Sequence, residues 1–124
     1  MLEFLVGARL VSADKNGFVV AINHQKYRFI YESYDGDCCG YNEITSSLLI
    51  ESGDKEDFNP IITKVKHTTI NDSYSQGCEI TFFGLSKPIY TAAIESSSGS
   101  GYCYGATVKL VCKEANVDEI LTSW

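Results

Sequence analysis

Two adjacent thiols, Cys38 and Cys39, stand between carboxylates and glycines in the run Asp35-Gly36-Asp37-Cys38-Cys39-Gly40-Tyr41. A third, Cys103, lies in Ser96-Ser97-Ser98-Gly99-Ser100-Gly101-Tyr102-Cys103-Tyr104-Gly105, a segment equally rich in small residues. Zinc takes thiolate and imidazole ligands in a tetrahedral shell, and binding strips the thiol proton. Gly36 and Gly40 permit a turn that aims both neighbouring sulfurs at one metal, although the spacing is not the two-residue gap of a zinc knuckle. Cys103 adds a third sulfur if its segment folds over the first. For the fourth position Cys78 is preferred to His67, with Asp37 as a hard-oxygen reserve. The expected site is a structural zinc held by Cys38, Cys39, Cys103 and Cys78.

Other chemistries need more than these residues supply. A catalytic cysteine needs a base within hydrogen-bond reach. The chain has only two histidines, and the aspartates flanking Cys38 act to raise a thiol pKa. A thiol- or metal-dependent hydrolase centred on Cys38 or Cys39 is therefore the alternative, and a non-enzyme is expected. Asp35, Asp37 and Glu43 lack the later ligands of a calcium loop. Cys112, in phase with Val108 and Leu110, fits as a small core hydrophobe, and Cys78 beside Ile80 and Phe82 can do the same.

The elements that must position these groups are mostly strands. Arg9 to Ala13, Gly17 to Asn23 and Lys26 to Ser33 are rich in Val, Ile, Phe and Tyr, with turns expected at Asn16-Gly17 and at Asn23-His24-Gln25-Lys26. In the third run Tyr27, Phe29 and Tyr31 alternate with Arg28, Ile30 and Glu32, which predicts an antiparallel meander. Glu43 to Ile50 fits a helix or a strand, and Ser52 to Asn59 reads as a loop before Pro60. Further strands are expected over Ile61 to Ile70, Cys78 to Phe82, Pro88 to Ile94 and Ala106 to Lys113, with Gly84 as a break. Asn116-Val117-Asp118-Glu119 can close a capping box, and Val117, Ile120, Leu121 and Trp124 follow at helical spacing. The expected fold is mainly β: one domain over residues 1–124, a compact antiparallel sheet or sandwich with one or two short helices. Phe18, Val20, Ile22, Phe29, Ile80, Phe82, Val108 and Leu110 are its expected core.

Composition narrows the function classes. Sixteen acidic against ten basic residues give a net charge of −6, so direct nucleic-acid binding, which needs a basic footprint, is not expected. An acidic surface suits a basic protein partner instead. No apolar run approaches the ~20 residues needed to cross a bilayer, and no basic segment precedes an apolar run at Met1 to Arg9. A cytoplasmic setting without membrane contact is expected, and there an odd count of five cysteines favours thiols or metal ligands over disulfides. Eight tyrosines, among them Tyr102 and Tyr104, add interface-type surface.

The run Tyr31-Glu32-Ser33-Tyr34-Asp35-Gly36-Asp37-Cys38-Cys39, followed by Ser98-Gly99-Ser100-Gly101-Tyr102-Cys103-Tyr104-Gly105, resembles a family of small domains frequent in bacteriophage and prophage genomes. There a Gly-Asp-Cys-Cys turn ends a strand, and a Gly-Tyr-Tyr-Gly-like segment precedes the last strand. The resemblance spans roughly residues 7 to 112. The chain departs from it at Gly40-Tyr41-Asn42-Glu43, where Ser and Trp are usual, and by carrying Cys103. In size, charge and phage-type character the chain is similar to anti-CRISPR proteins. The resemblance implies an interaction protein acting in the host cell, with a nucleic-acid-processing enzyme, foremost a Cas9-type nuclease, as the partner it inhibits. A phage accessory structural protein is the other non-enzymatic alternative.

Overall fold

Runs of Val, Ile, Phe, Tyr and Thr that alternate in polarity become strands with one face buried. The computed structural model describes residues 2–34, 41–49, 60–71, 75–85, 87–97 and 106–123. Among these residues, after a 3-10 turn at Glu3–Leu5, nine strands follow: β1 (Arg9–Asp14), β2 (Gly17–Ile22), β3 (Gln25–Tyr34), β4 (Tyr41–Leu48), β5 (Lys64–Asn71), β6 (Ser75–Phe83), β7 (Pro88–Ser97), β8 (Thr107–Cys112) and β9 (Val117–Ser123). Sheet A has the order β1-β2-β3-β8-β9 and sheet B the order β4-β7-β6-β5. Every pairing is antiparallel. The fold is mainly β, as expected.

The expected helices are not there. Among the described residues the only helical segment is the 3-10 turn at Glu3–Leu5. Asn116 takes a left-handed φ of 53° in the turn between β8 and β9, and Val117–Ser123 pairs along β8. A helix this short cannot hold itself together, since isolated helices need ~12–15 residues to be even marginal. The free edge of β8 offers a hydrogen bond at alternate residues, and Val117, Ile120 and Thr122 are β-branched. The same competition turns the ambiguous stretch after the cysteine pair into β4. Trp124 lies outside the described residues.

The two opening turns use their residues differently. Asn23 and His24, at φ 51° and 66°, supply both left-handed positions of the β2–β3 hairpin. The β1–β2 turn is made by Lys15 and Asn16, one residue earlier than expected, with Asp14 paired to Gly17. The Asn16 N–H donates to Asp14 Oδ1 at 2.8 Å. Gly17 opens β2 at φ 155°, and a Cβ there would lie 1.9 Å from the Phe29 carbonyl oxygen. Only glycine lets the chain pass Phe29 this closely.

The core lies between the sheets. Phe18 packs against Phe29 and Phe82 with ring centroids 5.0 Å away in each case, and against Tyr90 at 5.6 Å. The hydroxyls of Tyr31 (sheet A) and Tyr90 (sheet B) share a buried hydrogen bond of 2.5 Å. Seven of the eight expected core residues belong to this buried cluster, and the eighth, Ile22, is partly buried and packs against it. The Asn42 amide reaches the carbonyls of Tyr34 and Thr107, while the Ser46 hydroxyl, four residues on, reaches that of Asp14. β4 therefore runs from β3 and β8 across to β1.

Candidate functional site

Cys38, Cys39 and Cys103, with Asp37, lie outside the described residues. The strands that carry their segments are described. Tyr34 pairs with Thr107 across β3 and β8, and Tyr41 pairs with Ser97 across β4 and β7. The strand ends that flank residues 35–40, and those that flank residues 98–105, are thus paired with one another. Asn42 ties these strand ends together. Its amide donates to the Tyr34 and Thr107 carbonyls at 3.2 and 3.1 Å, and its Oδ1 accepts from the Ser96 hydroxyl at 2.5 Å. Ser96 in turn bonds the Thr122 hydroxyl at 2.7 Å. Nothing in the local sequence signals this network, because its members come from five strands.

Cys78, the expected fourth ligand, sits on the inner face of β6 and is 1% exposed. Its neighbour is His67, its rival for that position, with Nε2 2.9 Å from Sγ. That separation is a hydrogen bond. Two ligands on one tetrahedral zinc, at about 2.3 Å for sulfur and 2.0–2.1 Å for nitrogen, stand ~3.5 Å apart. Among the described residues no three His, Cys, Asp or Glu side chains are arranged to hold a metal ion. Cys112 is buried with the core as expected, its thiol donating to Glu114 Oε2 at 3.4 Å.

Burial, reinforced by the Glu79 charge, pushes the Cys78 thiol up to about 11. At neutral pH it is a protonated thiol and a poor nucleophile. A pKa above its unfolded value favours the folded state while the proton is on. That contribution is complete below pH ~9 and is lost as pH climbs toward 11, at a cost of about 2–3 kcal/mol. Burial also raises Tyr31, Tyr90 and Cys112, which act in the same direction. Urea melts are expected to show stability falling steeply between pH 9 and 11, and less steeply in Cys78→Val. Equal slopes in the two proteins would contradict this assignment.

The other face of sheet B carries a different arrangement. The pairing register aligns Glu43, Glu95, Gly77 and Ile70 in one row across β4, β7, β6 and β5. The next row is Thr45, Ala93, Glu79 and Thr68. The small residues Gly77 and Ala93 lower the floor between the three glutamates, leaving a cleft of about 400 Å³ whose described lining includes no basic residue. Glu43 and Glu95 are directly opposed, and opposed like charges destabilise a sheet. A cation seated between them removes that repulsion and gains two charge-assisted contacts. Glu43, Glu79 and Glu95 are 52 residues apart at the extremes, so sequence reasoning could only note each as an outward position.

Fold and site together define a two-sheet antiparallel β sandwich with an acidic cleft on one outer face. No family model, curated protein or solved structure matches the chain. Among the described residues no helix is long and apolar enough to cross a membrane.

Proposed function

We propose that this protein is a phage-type binding module that inhibits a host nucleic-acid-processing enzyme, foremost a Cas9-type nuclease, by presenting the outer face of sheet B to a basic surface. The observation that carries this is the row of Glu43 and Glu95 beside Glu79 over the Gly77 and Ala93 floor. Such nucleases hold nucleic acid in a positively charged channel, and a rigid sheet of carboxylates competes for the same lysines and arginines. The net charge of −6 speaks for the same class of partner and against direct binding of nucleic acid.

Zinc at Cys38, Cys39, Cys103 and Cys78 belongs to this proposal as a stabilising element. What supports it is the pairing of Tyr34 with Thr107 and of Tyr41 with Ser97, which brings the strand ends of the two thiol segments together. Cys78 joins only by giving up its bond to His67.

Purified protein is expected to form a complex with a Cas9-type nuclease and to suppress its DNA cleavage. Unimpaired cleavage with no complex at micromolar protein would overturn the proposal. Elemental analysis of protein purified without added metal tests the zinc separately. Cys38→Ser should release zinc and lower the Tm, while Cys112→Ser should leave occupancy unchanged.

A further inference from the structure

We propose that Asn16 is a self-modification site: the folded chain converts it slowly to aspartate and isoaspartate, and the isoaspartyl form loosens the corner where β1 meets β4. The inference stands apart from the partner and from the zinc. Asparagine is thermolabile, most of all ahead of glycine, and Asn16-Gly17 is the one such pair in the chain. The dipeptide alone would carry nothing, since a folded turn can protect it. This turn leaves it open. Lys15 and Asn16 are both exposed. The backbone of Asn16 lies outside the left-handed region, so the turn does not call for asparagine there. Its N–H donates to Asp14 Oδ1 at 2.8 Å, and its carbonyl accepts from the Tyr31 N–H at 2.9 Å. Its main chain is therefore tied on both sides. Among the described residues no hydrogen bond engages its side-chain amide, which is free to swing toward the Gly17 nitrogen.

No side chain at position 17 shields that nitrogen. It gives its proton to water or hydroxide and attacks Asn16 Cγ, so that a new N–Cγ bond closes a five-membered imide. The Cγ–Nδ2 bond breaks, and the amide nitrogen leaves as ammonia with the proton that Gly17 gave up. Water then opens the ring. Breaking the new N–Cγ bond restores the main chain and leaves aspartate. Breaking the original peptide bond instead routes the main chain through Cβ and Cγ, leaving isoaspartate with a free α-carboxylate. The fold cannot shed this liability at Gly17, because a Cβ there would lie 1.9 Å from the Phe29 carbonyl oxygen. The same close approach makes isoaspartate damaging. It adds a methylene to a turn whose ends are pinned, Asp14 against Gly17 and Gly17 against Ile30. The carbonyl that the Tyr31 N–H reaches becomes a carboxylate off the main chain. The Ser46 hydroxyl, which ties β4 to the Asp14 carbonyl at 3.1 Å, is anchored in the same turn. Each event also adds one negative charge to a chain already at −6.

Incubating the purified protein in warm, mildly alkaline buffer without denaturant tests the proposal, with Asn16→Ser as the control. Isoelectric focusing should show a more acidic form accumulating in the wild type and not in the variant. Peptide mass mapping should place a gain of one mass unit at Asn16 before any appears at Asn23, Asn42 or Asn116. An isoaspartyl methyltransferase should label the free α-carboxylate. The isoaspartyl form, isolated by ion exchange, should melt about 5 °C or more below the starting protein, having lost a backbone hydrogen bond and the register of the turn. Asn16→Asp carries the same charge on an unaltered main chain and should lose less than half as much. Conversion seen only after unfolding in urea would mean that the turn shields Asn16, and the proposal would fall. A first modification at another asparagine, or an isoaspartyl form that melts with the wild type, would overturn it equally. None of these readouts involves a partner or a metal.

Discussion

Reversing Glu43 and Glu95 together to lysine is expected to weaken binding to the basic partner by about 100-fold or more while leaving the fold intact. Both side chains point away from the core, and substitutions on such a surface usually change stability by no more than about 0.5 kcal/mol. The double change also preserves what the pair does to the sheet. Two opposed lysines repel one another as two opposed glutamates do, so the local cost is carried over. What changes is the sign of the field at the floor of the cleft. Removing one partner of a desolvated charge contact costs about 2–5 kcal/mol in affinity, and reversing it adds repulsion. Titration calorimetry against a Cas9-type nuclease, with thermal melts of both proteins, separates the two effects. Unchanged affinity at unchanged Tm would remove the cleft from the function.

Truncating Phe18 to alanine is expected to be the most damaging single change in the core, at about 3–5 kcal/mol. Its ring is 2% exposed and sits among four other aromatic residues, stacked on Phe29 and edge-on to Phe82 and Tyr31, with Tyr90 alongside. Phe29 and Tyr31 belong to sheet A, and Phe82 and Tyr90 to sheet B. Deleting the ring therefore opens a void where the sheets meet, and the surrounding structure relaxes only partly to fill it. The loss is a large part of the 5–15 kcal/mol that holds a domain together, and a Tm drop of about 10–25 °C follows. Phe4→Ala, at a ring 46% exposed and 6.1 Å from Phe29, should cost less than half as much. Differential scanning calorimetry on the two variants tests the ranking, and equal losses would mean that Phe18 is not the hub.

Alternation made the first three strands and the inner faces of β6 and β8 legible in the sequence. Tyr27, Phe29 and Tyr31 are period-2 partners before any fold is known, and that period survives packing because one strand face must be buried. It also put His67 on the inner side with Val65, and Cys112 with Leu110. Where two local codes overlapped, the sequence could not decide. The tail from Asn116 satisfies a helix cap and a helical spacing, yet Val117, Glu119 and Leu121 also alternate with Asp118 and Ile120. The open edge of β8 settled that competition.

By itself, then, the sequence determined that this is an acidic, mainly β chain, which side of most strands is buried, and which residues form the core. These are local properties, readable from one strand at a time. Only the tertiary structure decided that β4 leaves its neighbours for the second sheet, that His67 and Cys78 meet, and that Glu43, Glu79 and Glu95 share a cleft. Each of these depends on strand order and register. Register is fixed by which buried faces fit against one another across the whole sandwich, and a shift of one residue would turn every one of those glutamates inward.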